Sequence, residues 1–143
     1  MTEIVLTNTS GMAFSTEVDG HTIEVDADPQ FGGQDRGPKP KPLLLLSLAG
    51  CTGMDVVSLL NKMRVEYADF KVRVQAEMTD EHPKYYHKIH LIYEIKTRPE
   101  FHAKVEKAVN LSQERYCGVS FMLRKAAELT HEIAYEELPA TGS

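Results

Sequence analysis

The N-terminal part of the chain alternates apolar and polar residues, and this pattern predicts three short β-strands within residues 3–27. The first strand is expected at Ile4 and Leu6, before a turn at residues 8–11. An Asp-Gly pair marks a hairpin between the second and third strands, because glycine tolerates the positive φ of a two-residue turn. The third strand is expected to place its polar residues outside, namely Thr22, Glu24 and Asp26.

A glycine- and proline-rich loop, residues 28–42, is followed by the most apolar run of the chain, which predicts a helix over residues 43–64. The first half of this helix is apolar on all sides, so it needs cover on several sides, and we expect a partner subunit to supply part of it. The run is long enough to raise the question of a membrane span. Polar residues interrupt it, and Asp55 would be costly in lipid, so we interpret it as a buried helix of a soluble domain.

Two clean alternating runs, residues 70–79 and 89–96, predict an antiparallel hairpin with one solvent-facing side. A second helix is expected to begin at Pro99, where the fixed φ of proline suits a first helical turn. After a break near residues 110–113, a third helical pattern contains Cys117.

Residues 130–138 predict a last short strand, so the element order is β-β-β-α-β-β-α-α-β and the fold class is α+β. The length of 143 residues fits a single domain, residues 1–143. The tail, residues 139–143, is expected to fray.

Composition and charge narrow the class of protein. The chain is 42% hydrophobic and 26% charged, as in ordinary soluble globular proteins. Its net charge of −5 argues against a general nucleic-acid binder, which needs a basic face to replace condensed counterions. The N-terminus has neither a basic segment nor a long apolar core, so we expect no signal peptide and a cytoplasmic location, with no membrane association.

The chain has two cysteines, Cys51 and Cys117, which lie 66 positions apart. Without a Cys-x-x-Cys pair or paired histidine spacing they do not predict a metal site, and we expect neither metal nor cofactor. From position alone, both thiols are most simply buried small hydrophobes. Asp55, one helical turn beyond Cys51, would raise the thiol pKa if it is ionised and close. If the two helices pack together, the two sulfurs could form a transient disulfide.

The chain resembles the OsmC/Ohr family (osmotically inducible protein C and organic hydroperoxide resistance) in two segments, residues 40–60 (PKPLLLLSLAGCTGMDVVSLL) and residues 111–120 (LSQERYCGVS). The match is closest to a poorly characterised bacterial subgroup. The resemblance implies curved antiparallel sheets around central apolar helices, in an intertwined homodimer. It also implies a thiol peroxidase whose substrate is an organic hydroperoxide.

In that family pattern Cys51 matches the peroxidatic cysteine, which becomes a sulfenic acid, and Cys117 matches the resolving cysteine, which condenses with it to a disulfide. A dithiol, a lipoyl group in some members, then restores both thiols. The family's glutamate position is occupied by Pro42, and the family's arginine from the N-terminal strands has no direct counterpart. Arg36 is the first Lys or Arg of the chain and the only early cation able to substitute for it.

Two other interpretations stay open from the sequence. In the first, the protein is a catalytically weakened family member whose apolar dimer cleft binds a small hydrophobic ligand. In the second, both cysteines are packing residues of an obligate dimer and have no catalytic use.

Overall fold

Three antiparallel strands in the order β1-β2-β3 form the sheet of the N-terminal unit. The computed structural model describes residues 1–139, so the predicted fraying of residues 140–143 lies outside the described part of the chain. The chain folds into two compact units: the first is Met1–Leu46, and the second begins at Ser47. The strands of the first unit are β1 (Thr7–Ser10), β2 (Ala13–Val18) and β3 (His21–Val25).

The first strand differs from its prediction. The strand begins at Thr7, and the turn lies at Gly11, whose φ of 54° falls in the left-handed region. Ile4 and Leu6, expected in this strand, precede it and are 52% and 45% exposed. The alternating apolar residues therefore precede β1, and the polar residues that follow them form the hydrogen-bonded strand.

The prediction that Asp26 lies outside is wrong, because this residue is only 3% exposed. Its carboxylate accepts backbone N–H groups from Ala27 at 2.8 Å, Gln34 at 3.0 Å and Arg36 at 3.2 Å. These three donors replace the water that the carboxylate loses on burial. Asp26 therefore fastens the glycine-rich loop to the end of β3.

Helix α1 (Pro42–Lys62) confirms the predicted long apolar helix. Its buried side chains recur every fourth residue, as one stripe of a helix requires. Other apolar side chains of α1 are open, with Leu46 68% and Met54 75% exposed. Helix α1 is long and apolar enough to cross a membrane, but core helices of soluble proteins have the same length and composition. We interpret α1 as a core helix of a soluble protein. The buried stripe consists of Leu48, Thr52, Val56 and Leu60.

The second sheet has the order β4-β5-β6, formed by β4 (Tyr67–Met78), β5 (Tyr86–Thr97) and β6 (Glu128–Glu137). Strands β4 and β5 are antiparallel, as the alternation predicts. Strand β6 departs from the expected antiparallel sheets, because it pairs with β5 in parallel over ten residues. Two helices return the chain to the start of β5 before β6 begins, and this return makes the parallel pairing geometrically accessible.

The central strand β5 separates the core from a polar face. Its inward residues alternate with polar ones and form the core with the buried stripe of α1. On the other face Arg73 of β4 pairs with Glu94 at 3.2 Å, and His90 pairs with Glu132 at 2.7 Å. The inward residues of β5 are Ile89, Leu91, Tyr93 and Ile95, each at most 2% exposed.

The connection from β5 to β6 contains α2 (His102–Leu111), a π turn (Ser112–Tyr116) and α3 (Gly118–Arg124). The predicted break is therefore present, slightly later than expected, and Cys117 lies just before the third helix rather than within it. The order β-β-β-α-β-β-α-α-β and the α+β class are confirmed.

Candidate functional site

The sulfurs of Cys51 and Cys117 and a carboxylate oxygen of Asp55 all lie within 4.8 Å of one another. Both cysteines are free thiols, near each other but not bonded. The fold therefore brings together two thiols that lie 66 positions apart in sequence.

Helix α1 places Cys51 and Asp55 one turn apart on the same face. The π turn positions Cys117: the Cys117 backbone N–H donates to the Ser112 carbonyl at 2.8 Å, and its extended backbone then stops the helix. Cys117 becomes the N-cap of α3, and its sulfur accepts the Ser120 backbone N–H at 3.3 Å. Single π turns inside helical segments are frequent at functional sites, and here the turn directs a sulfur toward α1.

The two thiols differ in their access to solvent. Cys51 is partly exposed, whereas Cys117 is buried at 4% exposure. A molecule that approaches from solvent therefore meets Cys51 first.

Burial raises the pKa of the Cys51 thiol, and so do its neighbours Cys117 and Asp55. The backbone N–H of Val119 opposes this by hydrogen bonding to the Cys51 sulfur, which lowers the pKa. The predicted effect of Asp55 on the thiol is confirmed. The net direction is upward, so Cys51 rests mainly as a thiol at neutral pH and gains thiolate as the pH rises.

A string of buried polar side chains leads away from Asp55. Ser112 Oγ donates to Asp55 Oδ2 at 2.9 Å, and it lies 2.7 Å from Thr52 Oγ1. Thr52 Oγ1 lies 2.6 Å from the Tyr93 hydroxyl, which also accepts the Gln113 amide at 2.7 Å. The string joins α1, β5 and the π turn, so three elements fix the position of Asp55.

Sequence reasoning missed Thr52, Tyr93, Ser112 and Gln113 as site residues. A usable signal existed, because Thr52 and Tyr93 are polar residues at the inward positions of apolar elements. Buried polar groups need partners, so two such residues on different elements suggest a shared network.

Asp55 also lines a cleft of about 360 Å³, together with Ser58, Leu59, Lys62 and Tyr116. The cleft connects the carboxylate region to the surface. It contains one cationic side chain, Lys62, about two turns beyond Asp55 on α1.

Arg36, the third predicted site residue, lies in the N-terminal unit. Its backbone N–H donates to the buried carboxylate of Asp26 at 3.2 Å. This contact fixes the Arg36 backbone in the loop, and the role of its guanidinium at the thiols stays a prediction.

A family model described as "OsmC-like protein" matches residues 32–132. Protein YhfA of Escherichia coli K12 is 36% identical over 131 residues, which cover 91% of this chain and 93% of the relative. A hypothetical protein from Aquifex aeolicus VF5 has a similar structure, with a TM-score of 0.78, 30% identity and coverage of 96% and 98% of the two chains.

A more distant structure is described as an organic hydroperoxide resistance protein OsmC from Legionella pneumophila. It has a TM-score of 0.63 and 16% identity, and the similarity covers 94% of this chain and 98% of that protein. At this identity the similarity concerns the fold.

Proposed function

Because the chain belongs to the OsmC-like protein family, we propose that it is a cytoplasmic thiol peroxidase that reduces organic hydroperoxides. The observation that carries the proposal is the placement of the Cys51 and Cys117 sulfurs within 4.8 Å of each other. The description of the Legionella pneumophila protein, which shares the fold, names resistance to organic hydroperoxides.

In the proposed reaction the Cys51 thiolate attacks a peroxide oxygen, the O–O bond breaks, and the leaving alkoxide takes a proton from water and departs as the alcohol. Cys51 is then a sulfenic acid. The Cys117 sulfur attacks it, which forms the disulfide and releases water. A dithiol, such as a lipoyl group, reduces the disulfide and completes the cycle. The assignment of the peroxidatic role to Cys51 is supported by its greater exposure, since the peroxide arrives from solvent.

Attack requires the thiolate, which the raised pKa of Cys51 makes scarce at neutral pH. The Val119 N–H favours the thiolate, and we assign the guanidinium of Arg36 the same role. Replacing Arg36 with Gln should slow the oxidation of Cys51 by peroxide. Replacing Arg73, which pairs with Glu94 on the solvent face of the second sheet, should leave that rate unchanged.

The test of the activity is stopped-flow oxidation of the reduced protein by cumene hydroperoxide. We expect second-order oxidation much faster than that of free cysteine, followed by a Cys51–Cys117 disulfide detected by mass spectrometry. Cys51→Ser should abolish peroxide consumption, and Cys117→Ser should accumulate a sulfenic acid. Oxidation no faster than free cysteine, without a disulfide, would overturn the proposal.

A homodimer is the proposed assembly. It is supported by apolar side chains of α1 and α3 that stay largely exposed in the described chain. These are Leu46, Met54, Phe121 and Met122, each at least 60% exposed.

The raised pKa of Cys51 and the exposed apolar side chains of α1 and α3 favour a second candidate, a dimer that binds a small hydrophobic ligand. Native mass spectrometry of the purified protein tests it directly. A co-purified ligand together with a peroxide-inert Cys51 would favour this candidate, and a stable variant Cys51→Ser with unchanged ligand content would separate binding from thiol chemistry.

A further inference from the structure

Disulfide formation in the proposed cycle needs a base beside Cys117, because its thiol must lose a proton as the sulfur attacks. Bulk water is remote from this thiol, since Cys117 is 4% exposed. The Ser120 N–H at its sulfur is a donor and takes no proton. The carboxylate of Asp55 is a nearby proton acceptor, with an oxygen within 4.8 Å of both sulfurs.

The buried polar string has one consistent direction, which begins at Arg124. Arg124 donates to Oε1 of Gln113 at 3.1 Å, and a guanidinium is a donor only, so the Gln113 amide nitrogen faces Tyr93. That nitrogen donates to the Tyr93 hydroxyl at 2.7 Å. The remaining directions are fixed at Asp55: Ser112 donates to it and so accepts from Thr52, which in turn accepts from the Tyr93 hydroxyl, 2.6 Å away.

The direction continues to the carboxylate. Thr52 accepts a hydrogen bond from Tyr93 and donates its own to Ser112 at 2.7 Å. Ser112 donates to Asp55 at 2.9 Å. Every hydroxyl in the string thus points its proton toward Asp55. The string thus ends on Oδ2 of the Asp55 carboxylate, which has an oxygen within 4.8 Å of both sulfurs.

We propose that Asp55, oriented by Ser112, is the proton carrier of the disulfide-forming step, an inference that rests on the proposed peroxidase function. As the S–S bond forms, the Cys51 S–O bond breaks and the Cys117 proton moves to Asp55. The leaving hydroxide then takes that proton and departs as water. The sulfenic sulfur is reduced, the Cys117 thiol is oxidised, and the carboxylate is regenerated.

The cleft beside Asp55 gives the released water a route to solvent. Asp55 lines it with Lys62 and Tyr116, so the same side chain faces the sulfurs and the opening. A carboxylate in this position also works against the first step, because its charge favours the protonated form of Cys51. If Asp55 is the proton carrier, its removal should therefore favour the Cys51 thiolate in the first step and slow disulfide formation in the second.

The experiment separates these steps by rapid quenching of the reduced full chain after mixing with cumene hydroperoxide. The sulfenic-acid probe dimedone and mass spectrometry then report Cys51 oxidation and disulfide formation independently. In Asp55→Asn we expect oxidation at least as fast as in the wild type and disulfide formation slower by about 10²-fold, the usual scale of general acid–base catalysis. Excess peroxide should then convert more Cys51 to sulfinic acid.

Ser112→Ala keeps the carboxylate but removes its orienting donor, so it should slow disulfide formation less than Asp55→Asn does. The matched control is Asp69→Asn, a surface carboxylate paired with Lys96, which should keep both wild-type rates. Slower disulfide formation in D₂O for the wild type tests the same proton transfer without any substitution.

The outcomes distinguish the two proposals. A wild type that cannot be oxidised at Cys51 overturns the peroxidase function and this inference with it. A wild type that forms the disulfide while folded Asp55→Asn forms it equally fast overturns the role of Asp55 alone. A wild type without a solvent isotope effect on the disulfide step also overturns that role.

Discussion

At the scale of single residues, the carboxyl groups of Asp26 and Asp55 have different surroundings because their donors differ. Asp26 is buried and accepts three backbone N–H groups, and these lower the pKa of its carboxyl group. Asp55 is half-buried, accepts one hydroxyl and lies near two sulfurs. The first arrangement fastens a loop, whereas the second places a carboxylate beside two thiols.

The depressed pKa of Asp26 predicts an acid-dependent loss of stability. The folded state favours the charged form, so this stabilisation is complete above the ordinary aspartate pKa of about 3.9 and is lost as the pH falls toward the folded-state pKa. Asp26→Asn should lower the free energy of unfolding at pH 7, and the difference from the wild type should shrink at pH 3. Urea unfolding at both pH values measures this.

Asp35→Asn is the control for Asp26→Asn, because Asp35 is exposed in the same loop and asparagine tolerates its φ of 56°. It should change unfolding little at either pH. An equal deficit of Asp26→Asn at both pH values would contradict the assignment of its stabilising role to the charge.

At the scale of elements, α1 contributes to the core through one stripe. Leu60 is fully buried at the end of that stripe, so Leu60→Ala leaves a cavity beside β5. Such substitutions cost about 2–5 kcal/mol. Urea denaturation at pH 7 should show this loss, whereas Asn61→Ala, at an exposed position of the same helix, should change the unfolding free energy by less than ~0.5 kcal/mol.

Local periodicity is enough to predict where these elements lie, because alternation and helical spacing are properties of neighbouring residues. Periodicity predicts the bounds of β4, β5 and α1 to within a few residues. It does not predict the direction of β6, because strand pairing depends on contacts between residues far apart in sequence. It also places Cys117 inside a helix, since the π turn depends on hydrogen bonds that close only when Ser112 reaches α1.

The candidate site was predictable in part for the same reason. The cysteine pair could be found through the two segments that resemble the OsmC/Ohr family, and the effect of Asp55 on Cys51 followed from a single helical turn. The buried polar string could not be predicted, because Thr52, Tyr93 and Ser112 come from three elements and are brought together only by tertiary packing.

At the scale of the whole molecule, exposed apolar side chains on α1 and α3 predict self-association. Light scattering coupled to gel filtration should give about twice the chain mass of 16.1 kDa at micromolar concentration. Met122→Glu should shift the protein toward the monomer, because Met122 is 62% exposed and a charge there would be buried against a partner.

Lys84→Glu serves as the control for Met122→Glu, since Lys84 is an exposed charged residue in the β4–β5 turn. It should leave the mass unchanged. A wild-type mass of 16.1 kDa at that concentration would contradict the proposed dimer.

The parallel pairing of β6 with β5 has a consequence for how the protein is made. A ribosome releases Cys51 first, then Cys117, and Glu128–Glu137 only after both. Until that strand docks, the segment bearing Cys117 is tethered at one end only. Docking of the last strand along β5 then closes this segment at both ends.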